Sequence, residues 1–331
     1  MSVRISPILF GILVIGLTLP ASAKKNDGGI AASGAAVLWS DPGDLASRDL
    51  FYGPGGPQRQ PHGPYVFVKE DLDGSNPKFV VRDRDGVKWK VKLGVEARPE
   101  TVATRLVWAV GYSANEDYFL PDLQVQNMPA HLHRGQKQVA PDGSVHNVRL
   151  KRQDEKKLHD WQWRQDPFAG TREWNGLRVL MAVLNNWDLK TDNNSVYQGS
   201  DSRQMYMVSD LGASFGTDGL TWPLSRAKGN LDSYSRSKFI RRCTPATVDF
   251  YVPARPEFVF WVHPRNYFDR LRMRWIGRNI PRADARWIGN LLARLSRRQI
   301  QDAFRAAGYT PQEVEGFSAV LERRIALLTE L

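Results

Sequence analysis

Two strand-like runs joined by a tight turn set the first constraint on this chain. Lys78 to Arg82 and Val87 to Leu93 flank Asp85-Gly86, a dipeptide that favours a β-hairpin because it tolerates the positive φ such turns need. In the second run Val87, Trp89, Val91 and Leu93 share one face, and Lys88, Lys90 and Lys92 share the other. Tyr65 to Lys69 reads as a preceding strand, separated by the turn-rich Asp71-Leu72-Asp73-Gly74-Ser75-Asn76-Pro77. After Pro99, a residue suited to a first helical position, Val102, Leu106, Val107 and Val110 recur at helical spacing until Gly111. Weaker strands follow over 119–125 and 145–150.

Beyond residue 150 the pattern is mostly helical. Leu177 to Leu184 reads as the end of an apolar helix, and a short β-like pair flanks 194–209. Three punctuated helices close the chain: 284–295, Ser296 to about Gly308, and one opened by the capping box Thr310-Pro311-Gln312-Glu313. This order predicts an α+β chain, β-rich over 64–150 and mostly helical over 151–331. Residues 24–63, rich in Gly, Ala, Pro and Ser, read as a flexible extension with local anchors at Trp39 and Leu50-Phe51-Tyr52. With 331 residues, 42 % apolar and 24 % charged, the chain is globular, which excludes collagen, coiled coil and low-complexity classes. Its single cysteine, Cys243, excludes an internal disulfide framework and a cysteine-based zinc cluster.

The first 23 residues have the layout of a secretory signal. Arg4 supplies the charged start, Ile8 to Leu19 the apolar run, and Ala21-Ser22-Ala23 the cleavage site before Lys24. The apolar run is shorter than a bilayer-spanning helix. The expected location is secreted or periplasmic, the alternative being an uncleaved membrane anchor.

The chemical signal lies further on. Asn186-Trp187-Asp188-Leu189-Lys190-Thr191-Asp192-Asn193 follows a helix, and Asp210-Leu211-Gly212 ends a strand-like run seventeen positions after Asn193. Two carboxylates and an amide on neighbouring loops are hard oxygen ligands of the kind that hold Mg²⁺ or Mn²⁺ against a nucleotide's phosphates. An upstream strand lysine neutralises those phosphates. Positioning, metal and positive charge are what phosphoryl transfer asks of a protein.

With these residues the chain resembles the protein-kinase-like superfamily, closest to its atypical HipA-type, phosphoinositide and secretory-pathway members. Asp188, Leu189, Lys190 and Asn193 match the catalytic loop H-R-D-L-K-x-x-N, and Asp210-Leu211-Gly212 matches D-F-G with Leu for Phe. The lysine strand and the helix at Pro99-Glu100 match the small lobe, and the resemblance spans roughly 64–225. It implies a bilobal fold with a nucleotide, ATP or another, in the cleft. It implies Asp188 as catalytic base beside Lys190, and Asn193 and Asp210 as metal ligands. It also implies a phosphate-binding lysine paired with Glu100, and Gly74 and Ser75 in the phosphate loop. Lys92 is the choice for that lysine because Leu93-Gly94 closes its strand; Lys90, on the same face, is the runner-up. Residue by residue the plainer readings are turn residues at 188, 193 and 210, a solvated lysine face, and a carboxylate favoured at a helix start at Glu100.

The chain departs from the family where Asn186 and Trp187 replace His and Arg, where G-x-G-x-x-G is lacking, and where no A-P-E segment is recognisable. Gly212-Ala213-Ser214-Phe215-Gly216 fits the G-x-S-x-G elbow of hydrolases, but Thr217-Asp218-Gly219 and Pro223 break the helix that should follow. His131-x-His133 lacks a third metal ligand nearby and reads as surface histidines. Residues 255–305 hold twelve Arg, no Lys and four acids, with Trp261, Trp275 and Trp287 interleaved. That segment is a solvated face or a contact for anionic glycan or a membrane surface; nucleic-acid motifs are missing. The leading expectation is an exported kinase moving a phosphoryl group from a Mg-nucleotide to a hydroxyl on protein, glycan or small molecule. The alternatives are a catalytically inactive module binding a partner or anionic glycan, and a Ser214 hydrolase.

Overall fold

The computed structural model describes residues 34–74, 76–186, 188–216, 228–252, 259–262 and 264–331. The signal-like leader, Ser75 and Trp187 lie outside the described residues. In chain order the elements are β1 (Ala36–Val37), β2 (Tyr65–Glu70), β3 (Lys78–Arg82), β4 (Lys88–Lys92), α1 (Ala97–Ala109), β5 (Asp117–Gln126), β6 (Ser144–Arg152) and β7 (Lys157–His159). They continue with α2 (Arg172–Val183), β8 (Asn194–Gln198), β9 (Gln204–Val208), α3 (Leu231–Arg236), β10 (Ile240–Cys243) and β11 (Thr247–Phe250). The last are α4 (Val259–Val262), α5 (Pro264–Arg272), β12 (Ile280–Pro281), α6 (Arg282–Leu292), α7 (Arg297–Ala306) and α8 (Pro311–Thr329).

The α+β class expected from the sequence is present, β-rich first and helical after. Strands β2-β3-β4-β6-β5 close into a small barrel, β2 pairing parallel to β5 at the seam. Trp89 and Val91 point into it and are fully buried with Phe79 and Leu123. The alternation read from β4 therefore holds on its apolar face. Its lysine face divides, for Lys88 is exposed whereas Lys92 is buried. The cause is α1, which packs against β5 and β6 and is buried on nearly every side. Its polar groups inside are paired: Arg105 Nη1 lies 3.1 Å from Asp117 Oδ1, and Thr104 Oγ1 donates to Asp117 Oδ2 at 3.0 Å. α1 begins at Ala97, so Pro99 sits inside its first turn rather than at its first position.

The helical part is built on α2, α6, α7 and α8, with Phe215, Tyr234, Phe304 and Phe317 packed ring against ring at its centre. The capping box of Thr310 with Glu313 is formed, and a second joins Ser296 to Gln299. The small sheet β10-β11-β12 lies in a region whose sequence reads as helical. Its strands are four, four and two residues long, too short for alternation to register.

Residues 34–63 correct the expectation of a flexible extension. β1 pairs parallel to β9, Trp39 Nε1 donates to Val110 O at 2.7 Å, and Leu38, Leu45 and Leu50 are buried. Gln299 Nε2 donates to Leu45 O and Arg48 O at 2.7 and 3.0 Å. Gly and Pro here serve 3-10 turns, as at Gly53, whose φ is +73°. The compositional reading failed because turn-rich chain is ordered once it has a surface to pack on.

Candidate active site

Three elements meet at Lys92. It ends β4, Glu96 and Glu100 occupy the start of α1, and Asp210 lies two residues beyond β9. Lys92 Nζ is 2.7 Å from Glu100 Oε2, 3.1 Å from Glu96 Oε2 and 3.1 Å from Asp210 Oδ1. Arg149 Nη2 reaches Glu100 Oε1 at 2.5 Å, Asn76 Nδ2 donates to Glu96 Oε2 at 2.5 Å, and Lys228 Nζ pairs with Glu96 Oε1. Three cations thus meet three carboxylates. Burial works against the Lys92 ammonium, but Asp210, Glu100 and Glu96 more than reverse it, so its pKa lies above the ordinary lysine value. Burial likewise pushes the Asp210 carboxyl up, but Lys92 and the Gly212 N–H, which donates to Oδ1 at 3.1 Å, pull it well below the usual carboxylate range. A Cβ on Gly212 would come within 2.8 Å of Glu96, so glycine at the end of Asp210-Leu211-Gly212 lets the loop close on α1.

The second half of the site is the loop between α2 and β8. Asp188 N donates to Asn186 Oδ1 at 3.0 Å, and Asn193 Nδ2 donates to Asp188 O at 2.6 Å. Asn193 O accepts from the Ser209 and Asp210 N–H groups at 2.8 and 3.2 Å, tying this loop to the one carrying Asp210. Arg270 Nη1 lies 2.6 Å from Asp188 Oδ1, and Lys190 Nζ 3.6 Å from the same oxygen. Beside this loop a cavity of about 740 Å³ is lined by Trp163, Arg164, Leu189, Lys190, Arg272 and Trp275, among others.

The structure gathers Lys92, Glu100 and Asp210 in one cluster, and Asp188, Lys190 and Asn193 in the adjoining loop. It does not bring Lys90 to the cluster: Lys90 Nζ pairs with Asp71 Oδ2 at 2.7 Å. Gly74 adopts φ +63°, and its carbonyl accepts from Arg134, which also donates to Asp71 O at 3.2 Å. From that loop it is Asn76 that touches the cluster. Ser214 is fully buried and its Oγ makes no hydrogen bond among the described residues, so no base activates it and the hydrolase reading fails. His133 is an exposed side chain 3.0 Å from Glu70 Oε2. Among the described residues the His/Cys/Asp/Glu group with metal-binding spacing is Glu96, Glu100 and Asp210, within 4.8 Å of one another.

Glu96, Arg149, Lys228 and Arg270 were not singled out from the sequence. Glu96 carried a signal, being four residues from both Lys92 and Glu100. Arg149 alternates with other cations on β6, and Arg270 is one of twelve arginines in its segment. Neither spacing nor composition separates those two from solvated neighbours.

Among solved structures, the chain is similar to the Helicobacter pylori proinflammatory kinase CtkA, at 12 % identity over 82 % of this chain and 98 % of that one, with a TM-score of 0.44. It is also similar to the golgi casein kinase, at 10 % identity over 82 % of this chain and 73 % of that one, with a TM-score of 0.36. No protein-family model and no curated protein matches the chain.

Proposed function

We propose that this chain transfers a phosphoryl group from a metal-bound nucleotide to a hydroxyl acceptor. The observation that carries the reading is the convergence on Lys92 Nζ of Glu100 at 2.7 Å and of Asp210 at 3.1 Å, the latter 118 positions away in the chain. An ammonium held between a helix carboxylate and a loop carboxylate is positioned for phosphate oxygens and stays charged at every physiological pH. Asp210 and the Asn193 Oδ1 are hard oxygen donors that suit Mg²⁺ or Mn²⁺, which supplies charge neutralisation at the phosphates when bound. Asp188 receives the acceptor's hydroxyl. Its backbone is held by Asn186 on one side and Asn193 on the other, which fixes the point from which its side chain projects.

The leader supports export of the mature chain. The Arg-rich segment supports contact with an anionic glycan or membrane surface through α4 and α5, where Trp261 is 82 % and Phe268 45 % exposed. A second reading, an inactive binding module, is favoured by one observation: Lys92 is already paired with three carboxylates. Thermal melting of the chain with ATP or GTP, with and without Mg²⁺ or Mn²⁺, separates the two. A ligand that binds only the native state raises the midpoint, by about 2.7 kcal/mol of stability at a hundredfold excess over Kd. A metal-dependent rise, lost in Asp210→Asn, is expected. No rise at millimolar nucleotide would leave the binding-module reading standing.

A further inference from the structure

We infer that Arg270, on α5, is a positioning residue for Asp188: it holds one carboxylate oxygen so that the other faces the acceptor. This rests on the phosphotransfer reading above. Arg270 is buried, its side chain 3 % exposed, and Nη1 approaches Asp188 Oδ1 at 2.6 Å. Lys190 Nζ, 3.6 Å away, addresses the same Oδ1. Both cations make their closest approach to Oδ1 as ion pairs rather than as hydrogen bonds, and Oδ2 makes no hydrogen bond among the described residues. With the backbone of Asp188 pinned at its N–H and its carbonyl, the remaining freedom is rotation of the side chain, which the Arg270 ion pair restrains. The neighbours of Arg270 on α5, Asp269 and Arg272, line the cavity that Leu189 to Asp192 borders from the other side. Leu189, the chain neighbour of Asp188, is part of that lining. In the step itself the acceptor oxygen bonds to the transferred phosphorus as the bond to the leaving nucleoside diphosphate oxygen breaks. The hydroxyl proton passes to Oδ2 and from there to solvent.

The same contact would act as a brake if it occupied the oxygen the reaction needs. The two roles predict opposite signs. The experiment is release of inorganic phosphate from MgATP by the full chain, water serving as acceptor, for wild type, Arg270→Met, Arg270→Lys, Asp188→Asn and Asp188→Asn/Arg270→Met. Nucleotide-induced melting shifts are measured in parallel. Arg270→Met should lower kcat by about tenfold or more with KM and the melting shift unchanged, and Arg270→Lys should recover part of it. In the Asp188→Asn background, losing Arg270 should cost little further, because the two act as a unit. An unchanged or raised kcat in Arg270→Met, or an equal further loss in the Asp188→Asn background, would overturn the inference while leaving phosphotransfer intact. Absence of both turnover and melting shift in wild type would overturn phosphotransfer and this inference together. Should Arg270→Met not fold, Arg270→Lys decides alone: a reduced kcat at unchanged KM supports the role, and an unchanged kcat removes it.

Discussion

Lys92 shows how far a side chain's surroundings change what its substitution means. From the strand pattern it belongs to a charged face, where replacement costs little. In the fold its ammonium separates Glu96, Glu100 and Asp210, whose oxygens lie within 4.8 Å of one another. Lys92→Met should therefore abolish the nucleotide-induced melting shift and also destabilise the unliganded chain, by about 3–5 kcal/mol as for other broken buried pairs. Lys90→Met removes one partner of Asp71, which keeps Lys78 at 3.9 Å, and should cost less, about 1 kcal/mol. Urea denaturation of both variants checks the contrast, and equal costs would mean the cluster is not the buried unit described. The same cluster sets an acid limb. Burial raises and Lys92 lowers the Asp210 and Glu96 carboxyls, and both end below their ordinary 3.8 and 4.5. Groups depressed in this way add stability that is present above the ordinary values and is lost as pH falls below them. Asp117 runs the other way. Burial, only partly offset by Arg149 and Arg105, raises it to about 6, so its contribution is full below 3.8 and is lost as pH rises through about 6. Melting midpoints should fall steeply below about pH 4, and Asp117→Asn should flatten the profile between about pH 4 and 6.

At the scale of elements, the junction between α1 and the chain that precedes the barrel is the most constrained. Gly111 ends α1 with φ +97°, and a Cβ there would lie 2.2 Å from Ser40 O. Gly86, in the β3–β4 turn, has φ +80° with nothing within 4 Å of its Cβ position. Gly86→Ala should cost only left-handed strain, about 1–2 kcal/mol. Gly111→Ala adds a backbone collision and should cost about 3 kcal/mol or more. Chemical denaturation of the two variants separates strain from collision. The elements themselves were largely legible. β3 runs over Lys78–Arg82 as the apolar run before the hairpin turn has it, and α8 begins at the capping box. Such signals are local: a hairpin turn, a period of two, a cap. β1, β7 and β10–β12 were not legible, because strands of two to four residues are made by their neighbours rather than by their own pattern.

At the scale of the whole molecule, residues 34–63 are part of the folded body. Leu38, Leu45 and Leu50 are together buried against the helical core. At about 1.5–3 kcal/mol each, their burial is comparable with the total stability of an ordinary domain. A chain beginning at residue 64 should therefore fail to give a cooperative melting transition, whereas one beginning at residue 34 should melt like the full chain. A full transition in the shorter chain would show that segment to be dispensable. N-terminal sequencing of exported protein should read from Lys24; an intact Met1 would mark an anchored form instead.

The sequence by itself determined the α+β order and most turn and cap positions, and it marked Glu100, Asp188, Asn193 and Asp210 as candidates, because each is written in neighbouring residues or in a short ordered motif. Only the tertiary structure decided which lysine of β4 is enclosed and that Glu96, Arg149 and Lys228 complete its charge balance. It also decided that Ser214 is shut inside the core and that one arginine of twelve reaches Asp188. Those facts depend on which surfaces cover which. An ion pair between positions 188 and 270 leaves no local trace: any charged residue on an amphipathic segment looks the same until packing assigns its face.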